Sequence, residues 1–403
     1  MSSITSSSCL HPVLSAAVIF LASAVLAQTP TAGRSIPTAA IYFPGYHRDP
    51  HYDAWFGEGF NEWQLLKDAK PLFPGHRHMH PREDWGSFDE ADPRWMEKQI
   101  DLAADHAIDV FIFDWYWYSG VKILHRPLEE GFLHANNRNR LKYALMWANH
   151  TWQYYFPVPY KKPPQILLPI RHSAEDFDHL MQHCIATHFN QPNYWRVNDG
   201  LYFSIFNSED FLRQLGGPEK TKAVLDAARK KIATAGLGRI HFAAFTGNPG
   251  AIPDLKSAGF DSTTSYNVTS ISPPPGGPRN YIEQYDALMQ RSEKLWKDLD
   301  TGQLPYTPVV TVGWDCTPRW EKITPWPPEI GDYPYMPVVV NNTPQKFGQL
   351  LARARNHVQS AKLPPPAILI NAWNEWTEGS VLLPEERYGT GFLDQVKEGK
   401  SNK

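Results

Sequence analysis

Near the end of the chain, Glu375 and Glu378 stand three residues apart in INAWNEWTEGS (Ile370 to Ser380), beside Trp373 and Trp376. Two carboxylates flanked by flat aromatic surfaces suit acid/base chemistry on a sugar. One protonates a leaving oxygen while the other serves as base or nucleophile. Carboxyl groups this close do not both ionise easily near neutral pH, so one keeps a proton for the acid role. An isolated E-x-x-E is more often a solvated loop. The reading therefore depends on what places this one in a pocket.

The pair follows PAILI (Pro366 to Ile370), one of eight short β-prone runs, at 39–43, 109–115, 143–147, 201–206, 240–245, 260–266, 308–314 and 366–373. Several are continuously apolar, as parallel strands covered on both faces are. Stretches with helical spacing lie between them, at 93–106, 174–188, 219–235, 281–299 and 343–361. Strands alternating with helices predict a (β/α)8 TIM barrel over residues 39–395. A doubly wound open sheet is the alternative, but no strand leads into a Gly-rich phosphate loop. Long insertions at 45–92, 150–173, 269–279 and 315–342 would all sit on the C-terminal face of such a barrel, where active sites lie. The charged tail, 396–403, is expected to fray.

On that topology the strand ends converge. They carry Asp114, Trp115 and Tyr116; Trp147 and Asn149; Trp314, Asp315 and Arg319; and Trp376 beside the two glutamates. Tyr46, His47 and Glu62 (in GFNEW) follow the first strand. Polar groups on rigid strands can bind sugar hydroxyls while the rings stack on sugar faces, and these are the expected substrate contacts. Each has a plainer alternative: Trp115 as packed core, Asp315 as a helix cap, Arg319 paired with Asp315, Glu62 as a surface charge. Asn149, Asn267 and Asn341 begin N-x-T triplets, but Asn149, at a strand end, is expected in the pocket rather than as a glycan acceptor.

A formal charge of -3 and pI near 6.6 give no basic excess for nucleic acid or an anionic membrane. Cys184 and Cys316 could form a disulfide or stay as two thiols. Neither cysteine has a Cys-x-x-Cys or Cys/His partner at metal spacing, and HRHMH (His76 to His80) suits a turn that positions one or two side chains, so no metal and no organic cofactor are expected. Residues 1–27 have the pattern of a signal peptide, with the apolar run Pro12 to Ala27 ending in small residues before Gln28. Residues 28–38 then form a linker. No other run approaches ~18 apolar residues, so the processed chain should be secreted or periplasmic, without a membrane span.

Six ordered segments carry a family resemblance: AIYFPGYH, GFNEW with KPLFPGH, FDWYWY, LMWANHTW, GWDCTPRW and INAWNEWTEGSVLLP. They resemble WbsX-type proteins, also described as glycoside hydrolase family 99-like, from about Ala39 to Leu393. Family 99 comprises endo-α-mannosidases on a (β/α)8 barrel, with catalytic glutamates in a W-N-E-W-x-E-G motif matched by Trp373 to Gly379. The resemblance implies Glu375 as base on the sugar 2-hydroxyl and Glu378 as acid/base at the glycosidic oxygen. It also implies retention through a 1,2-anhydro sugar. Mannose does not carry over, because the rest of the chain is closer to the WbsX-type branch. Proteins of that branch have also been labelled glycosyltransferases of surface polysaccharide assembly, and export favours hydrolysis over synthesis. The expectation is an exported glycoside hydrolase acting on an oligosaccharide or polysaccharide. The alternatives are a glycosyltransferase and a non-catalytic carbohydrate-binding barrel.

Overall fold

The computed structural model describes Met1 and residues 36–269, 281–328, 331 and 333–401. The expected leader, most of the linker and nearly all of the 269–279 insertion lie outside the described residues. Runs of β-branched and aromatic residues become strands with both faces covered. They are β1 (Thr38–Tyr42), β2 (Val110–Tyr118), β3 (Lys142–Trp147), β4 (Gly200–Ile205), β5 (Arg239–Phe245) and β6 (Ser262–Thr264). A two-part β7 (Tyr306–Thr307 and Val309–Thr311) and β8 (Ile368–Asn371) follow.

Neighbours in this order pair in parallel, and β8 returns to β1 with Thr38 opposite Ile368. The two parts of β7 divide the closure between them: Tyr306 pairs with Thr263 on β6, and Val309 with Leu369 on β8. Pro308 sits at the break, since it has no N–H for the ladder; its carbonyl still accepts from the Leu369 amide at 3.0 Å. The result is the expected (β/α)8 barrel, nearly closed by nine parallel strand segments.

The helices are α1 (Pro50–Phe56), α2 (Glu62–Asp68), α3 (Pro93–Asp105), α4 (Ala174–Thr187) and α5 (Ser208–Leu215). After them come α6 (Pro218–Thr234), α7 (Ile252–Ser257), α8 (Tyr285–Leu299), α9 (Pro344–Ser360) and α10 (Gly391–Ser401). On α9, Phe347, Leu350, Leu351, Ala354 and Val358 are buried, the three- and four-residue spacing of a single apolar face laid on β7 and β8. None of the described helices is long and apolar enough to cross a membrane.

One local expectation is corrected. The tail does not fray at 396: α10 runs through it, burying Leu393 and Val396 and setting Phe392 5.7 Å from Phe347. Lys400 then pairs with Asp109 at 2.6 Å, so a charged stretch that looked solvated contains the apolar anchors of a helix. The first insertion holds α1 and α2, each started by a side-chain cap. Asp49 accepts from the His51 amide at 2.8 Å and Asn61 from the Trp63 amide at 3.1 Å. Cys184, on α4, and Cys316, after β7, are both free and buried.

Glu90, in the same insertion, is fully buried under the E-x-x-E loop. It accepts from the Tyr46 amide at 3.0 Å, the Tyr42 hydroxyl at 3.1 Å and the Asn374 amide group at 2.5 Å, tying the first loop to the segment that carries Glu375. Burial outweighs those three donors and pushes its carboxyl up to about 8. The sign follows from linkage: the folded chain holds a proton that the unfolded chain releases near 4.5. This stabilisation is full below that value and lost as pH rises towards 8, at up to about 1.4 kcal/mol per pH unit. Glu90→Gln should therefore lose less stability than the parent between pH 5 and 8, measured by urea unfolding. Parallel curves for the two proteins would show that Glu90 does not titrate there.

Candidate active site

Side chains alternate along β2, so Asp114 and Tyr116 face the barrel axis while Trp115 and Trp117 face outward. The same alternation on β3 turns Met146, and Ala148 beyond it, inward and Trp147 outward. The inward set opens into a cavity of about 320 Å³ on the C-terminal face, within the ~300–1,000 Å³ of small-molecule sites. Its polar floor is Asp114, Arg319, Glu375 and Glu378. Aromatic walls come from Tyr116, His150, Trp152 and Phe206 on one side and from Tyr155, Phe156, Trp314 and Tyr333 on the other.

Arg319 organises the floor. Its Nη2 lies 3.0 Å from Glu62 Oε2 and 3.2 Å from Glu375 Oε2, and its Nη1 binds Glu378 Oε1 and the Tyr333 hydroxyl. Its Nε donates to Thr377 Oγ1 at 2.9 Å, and that hydroxyl in turn donates to Glu62. Burial alone would lower the Arg319 pKa, but the carboxylates around it hold the group firmly charged. Because both catalytic candidates grip one guanidinium, their oxygens lie inside the ~9.5 Å upper span for carboxyl pairs acting on one glycosidic bond. Glu378 Oε2 is buried, without a hydrogen-bond partner among the described residues, and its side chain lines the cavity.

Burial raises the pKa of both glutamates. Glu375 rises well above the ordinary range, with the charge of Glu378 adding to burial and Arg319 opposing it. Glu378 rises too, opposed by Arg319 and the Tyr333 hydroxyl. Asp114 is also driven well above its usual value, chiefly by burial. The Tyr266 hydroxyl lies 2.9 Å from Asp114 Oδ2 and 2.9 Å from Glu375 Oε1. A phenol has one hydrogen, so both contacts are attractive only when one of those carboxyls is protonated.

The sequence candidates divide by face. Asp114, Tyr116, Trp314, Arg319, Glu375 and Glu378 line the cavity. Trp115 and Trp147 lie outside the barrel wall, Trp115 against Trp117 at 5.7 Å and Trp147 against His172 at 5.1 Å. Behind the floor, Glu62 holds Arg319, the Tyr46 hydroxyl accepts from the Thr377 amide at 3.1 Å, and Trp376 packs on Trp63 at 5.8 Å. His47 is buried, and burial pushes its pKa down to about 4. Asn149 is not in the cavity lining where it was expected: it is fully buried, accepting from the Asn207 amide at 2.6 Å, which also removes it as a glycan acceptor. Asp315 does not pair with Arg319. It accepts from the Thr317 amide at 3.0 Å, meets His76 Nε2 at 2.9 Å and stands outside the cavity lining where it was expected.

Sequence reasoning missed Tyr266, Phe206 and Tyr333, together with Trp152, Tyr155 and Phe156 on the second insertion. Tyr266 and Phe206 closed predicted strands and carried the same strand-end signal as Trp314. The others sit in loops whose path no local pattern fixes. A backbone contact sets the height of the E-x-x-E turn: Gly379 has φ +63°, and a Cβ there would lie 2.8 Å from Asp315 Cβ. Glycine lets the turn close on Asp315, whose amide donates to the Glu378 carbonyl at 2.6 Å.

Among solved structures, the chain resembles a GH99 endo-α-mannosidase from Bacteroides thetaiotaomicron, at 15% identity and TM-score 0.56 over 91% of this chain and 96% of that one. It also resembles a glycoside hydrolase-like protein, at 13% identity and TM-score 0.60 over 90% and 93%. At these identities the likeness is one of fold. An uncharacterized protein, WxcX, of Xanthomonas campestris pv. campestris is 29% identical over 367 residues, 89% of this chain and 49% of its own length. The chain thus spans about half the length of the relatives it matches there. A family model described as Glycosyltransferase WbsX matches residues 38–396, nearly the whole described barrel, and the chain belongs to that WbsX family.

Proposed function

We propose that this protein is a glycoside hydrolase that cleaves a glycan with retention, using Glu375 and Glu378 on the two sides of one glycosidic bond. The observation that carries this reading is the Arg319 clasp, which holds both carboxyls in one cavity and leaves Glu378 Oε2 without a partner there. Glu378 then protonates the departing oxygen. Glu375, following the family resemblance, takes the proton of the sugar 2-hydroxyl, whose oxygen closes on the anomeric carbon as a 1,2-anhydro sugar before water reopens it. In the ligand-free site Glu375 is the more strongly raised of the two, so the base role requires its proton to leave as the sugar binds. The protons belong to the pair and to Asp114 rather than to one residue.

The family's name favours a second reading, transfer from a nucleotide-sugar donor. Among the described lining residues the one permanent cation, Arg319, is already shared by three carboxylates, so a donor diphosphate would meet uncompensated negative charge. That balance supports hydrolysis. The apolar run at 12–27 supports action outside the cytoplasm. Fractionation of the source cells should find the protein in periplasm or medium; recovery from cytosol alone would reverse that part.

Glu375→Gln and Glu378→Gln should each lower kcat on an oligosaccharide substrate by at least about 10²-fold. On an aryl glycoside whose leaving group needs no proton, Glu378→Gln should recover most of its loss and Glu375→Gln should not. Equal rescue of both would overturn the division of roles, and full turnover by both would sink the assignment. Arg319→Lys keeps the charge but loses the planar fork, and should lower kcat by about 10-fold or more. Arg319→Met removes the group that lowers both carboxyl pKa values, so the acid limb of its pH–rate profile should move to higher pH.

A further inference from the structure

Among the described residues outside the catalytic cavity, two groups of histidines and carboxylates bring possible ligand atoms within 4.8 Å of one another, and they differ in what their nitrogens are doing. His76, His78 and Asp315 lie together beside the E-x-x-E turn. There the Leu72 amide donates to His76 Nδ1 at 3.0 Å, which leaves the proton of a neutral ring on Nε2, facing Asp315 at 2.9 Å. His78 Nε2 is engaged with Thr317 Oγ1 at 2.8 Å. Those contacts already use the nitrogens facing Asp315, so this cluster is a hydrogen-bonded brace.

The second cluster lies on the outer side of β2. Glu129, from the short helix Pro127–Gly131 that follows β2, meets His183 near the C-terminal end of α4 and His188 at its C-cap. One ligand atom from each lies within 4.8 Å of the others. The Nε2 atoms of His183 and His188 are both buried and have no hydrogen-bond partner among the described residues. His188 is fully buried. Its Nδ1 lies 3.5 Å from the Tyr143 hydroxyl, which gives its own hydrogen to the His188 carbonyl at 3.3 Å. In the tautomer in which that hydroxyl accepts from Nδ1, Nε2 presents a bare lone pair. An outer partner on the other ring nitrogen is typical of metal-binding histidines. Glu129 Oε1 lies 3.9 Å from that Nε2. A cation already occupies the carboxylate: Lys122 Nζ is 2.8 and 2.6 Å from its two oxygens.

We propose that Glu129, His183 and His188 form a site for a divalent ion of the Zn²⁺ type, with the Lys122 ammonium as its competitor for the carboxylate. Two imidazoles and one carboxylate are the nitrogen and oxygen donors that such an ion takes, and water completes a tetrahedron. Asp114 and Tyr116 face the cavity from the opposite side of the same strand, so the ion joins the end of α4 to the short helix beyond β2 and touches no substrate. Its role is structural.

The test uses the full chain, stripped by chelator and titrated with Zn²⁺ by calorimetry and with Co²⁺ by visible absorption. One equivalent should bind, with the visible bands of tetrahedral Co²⁺ and a higher Tm. His183→Gln and Glu129→Gln should each weaken binding roughly tenfold or more, because loss of even an outer partner can cost that much. Lys122→Met should tighten it, and His78→Gln should leave it unchanged. His183 is only partly buried, so its variant should fold, and its Tm without metal checks that. No uptake, uptake unaffected by His183→Gln and Glu129→Gln, or uptake abolished by His78→Gln would each overturn the proposal.

Discussion

A single buried guanidinium, that of Arg319, faces three buried carboxylates, and the arrangement of the pocket depends on that imbalance. Taking four charges out of water is costly, and the cost is met only where each charge has partners at hydrogen-bonding distance. Here Arg319 uses both terminal nitrogens on Glu62, Glu375 and Glu378 and its Nε on Thr377. The rings of Phe43 and Phe156 lie 5.7 and 5.2 Å from its charge centre. One positive charge does not neutralise three negative ones. Burial, with the uncompensated negative charge adding to it, raises the pKa values of Glu375 and Glu378, the condition that acid/base chemistry at neutral pH requires.

The clasp in turn needs a scaffold that brings distant segments to one point. Glu62 comes from the first insertion, Arg319 from the turn after β7, and Glu375 and Glu378 from the chain beyond β8. Backbone contacts fix their spacing. Asp315 presses on Gly379, and a Cβ on Gly313 would meet the Gly379 carbonyl at 2.5 Å, so two glycines let the ends of β7 and β8 lie almost in contact. Glu90 performs the same service between the first loop and Asn374.

The barrel was legible because eight apolar runs separated by helical spacing admit few topologies, and the catalytic pair because it ends the last of those runs. The face of each strand residue was not separated. Asp114, Trp115 and Tyr116 form one strand end in sequence, yet a period of two sends the middle one outward; Trp147 and Met146 differ in the same way on β3. Applying that period to each strand would have kept Asp114 and Tyr116 and exchanged Trp147 for its neighbours. Tyr155, Phe156 and Tyr333 were beyond reach for a different reason: they belong to irregular loops whose course is set by tertiary contacts. The α10 helix was hidden by composition, because its buried Phe392, Leu393 and Val396 are followed by a run of charges.

Tyr266, placed between Asp114 and Glu375 with one hydrogen to give, has a consequence for how the pocket greets any ligand. A neutral sugar hydroxyl entering there must either take the place of the phenol at one carboxyl or accept a hydrogen bond from the protonated one, and either exchange alters how firmly the carboxyls hold their proton. Binding then changes how many protons the protein carries, even though the sugar itself has none to titrate. By linkage, affinity for an uncharged ligand depends on pH, and the protons exchanged with buffer on binding report the change in protonation of these carboxyls.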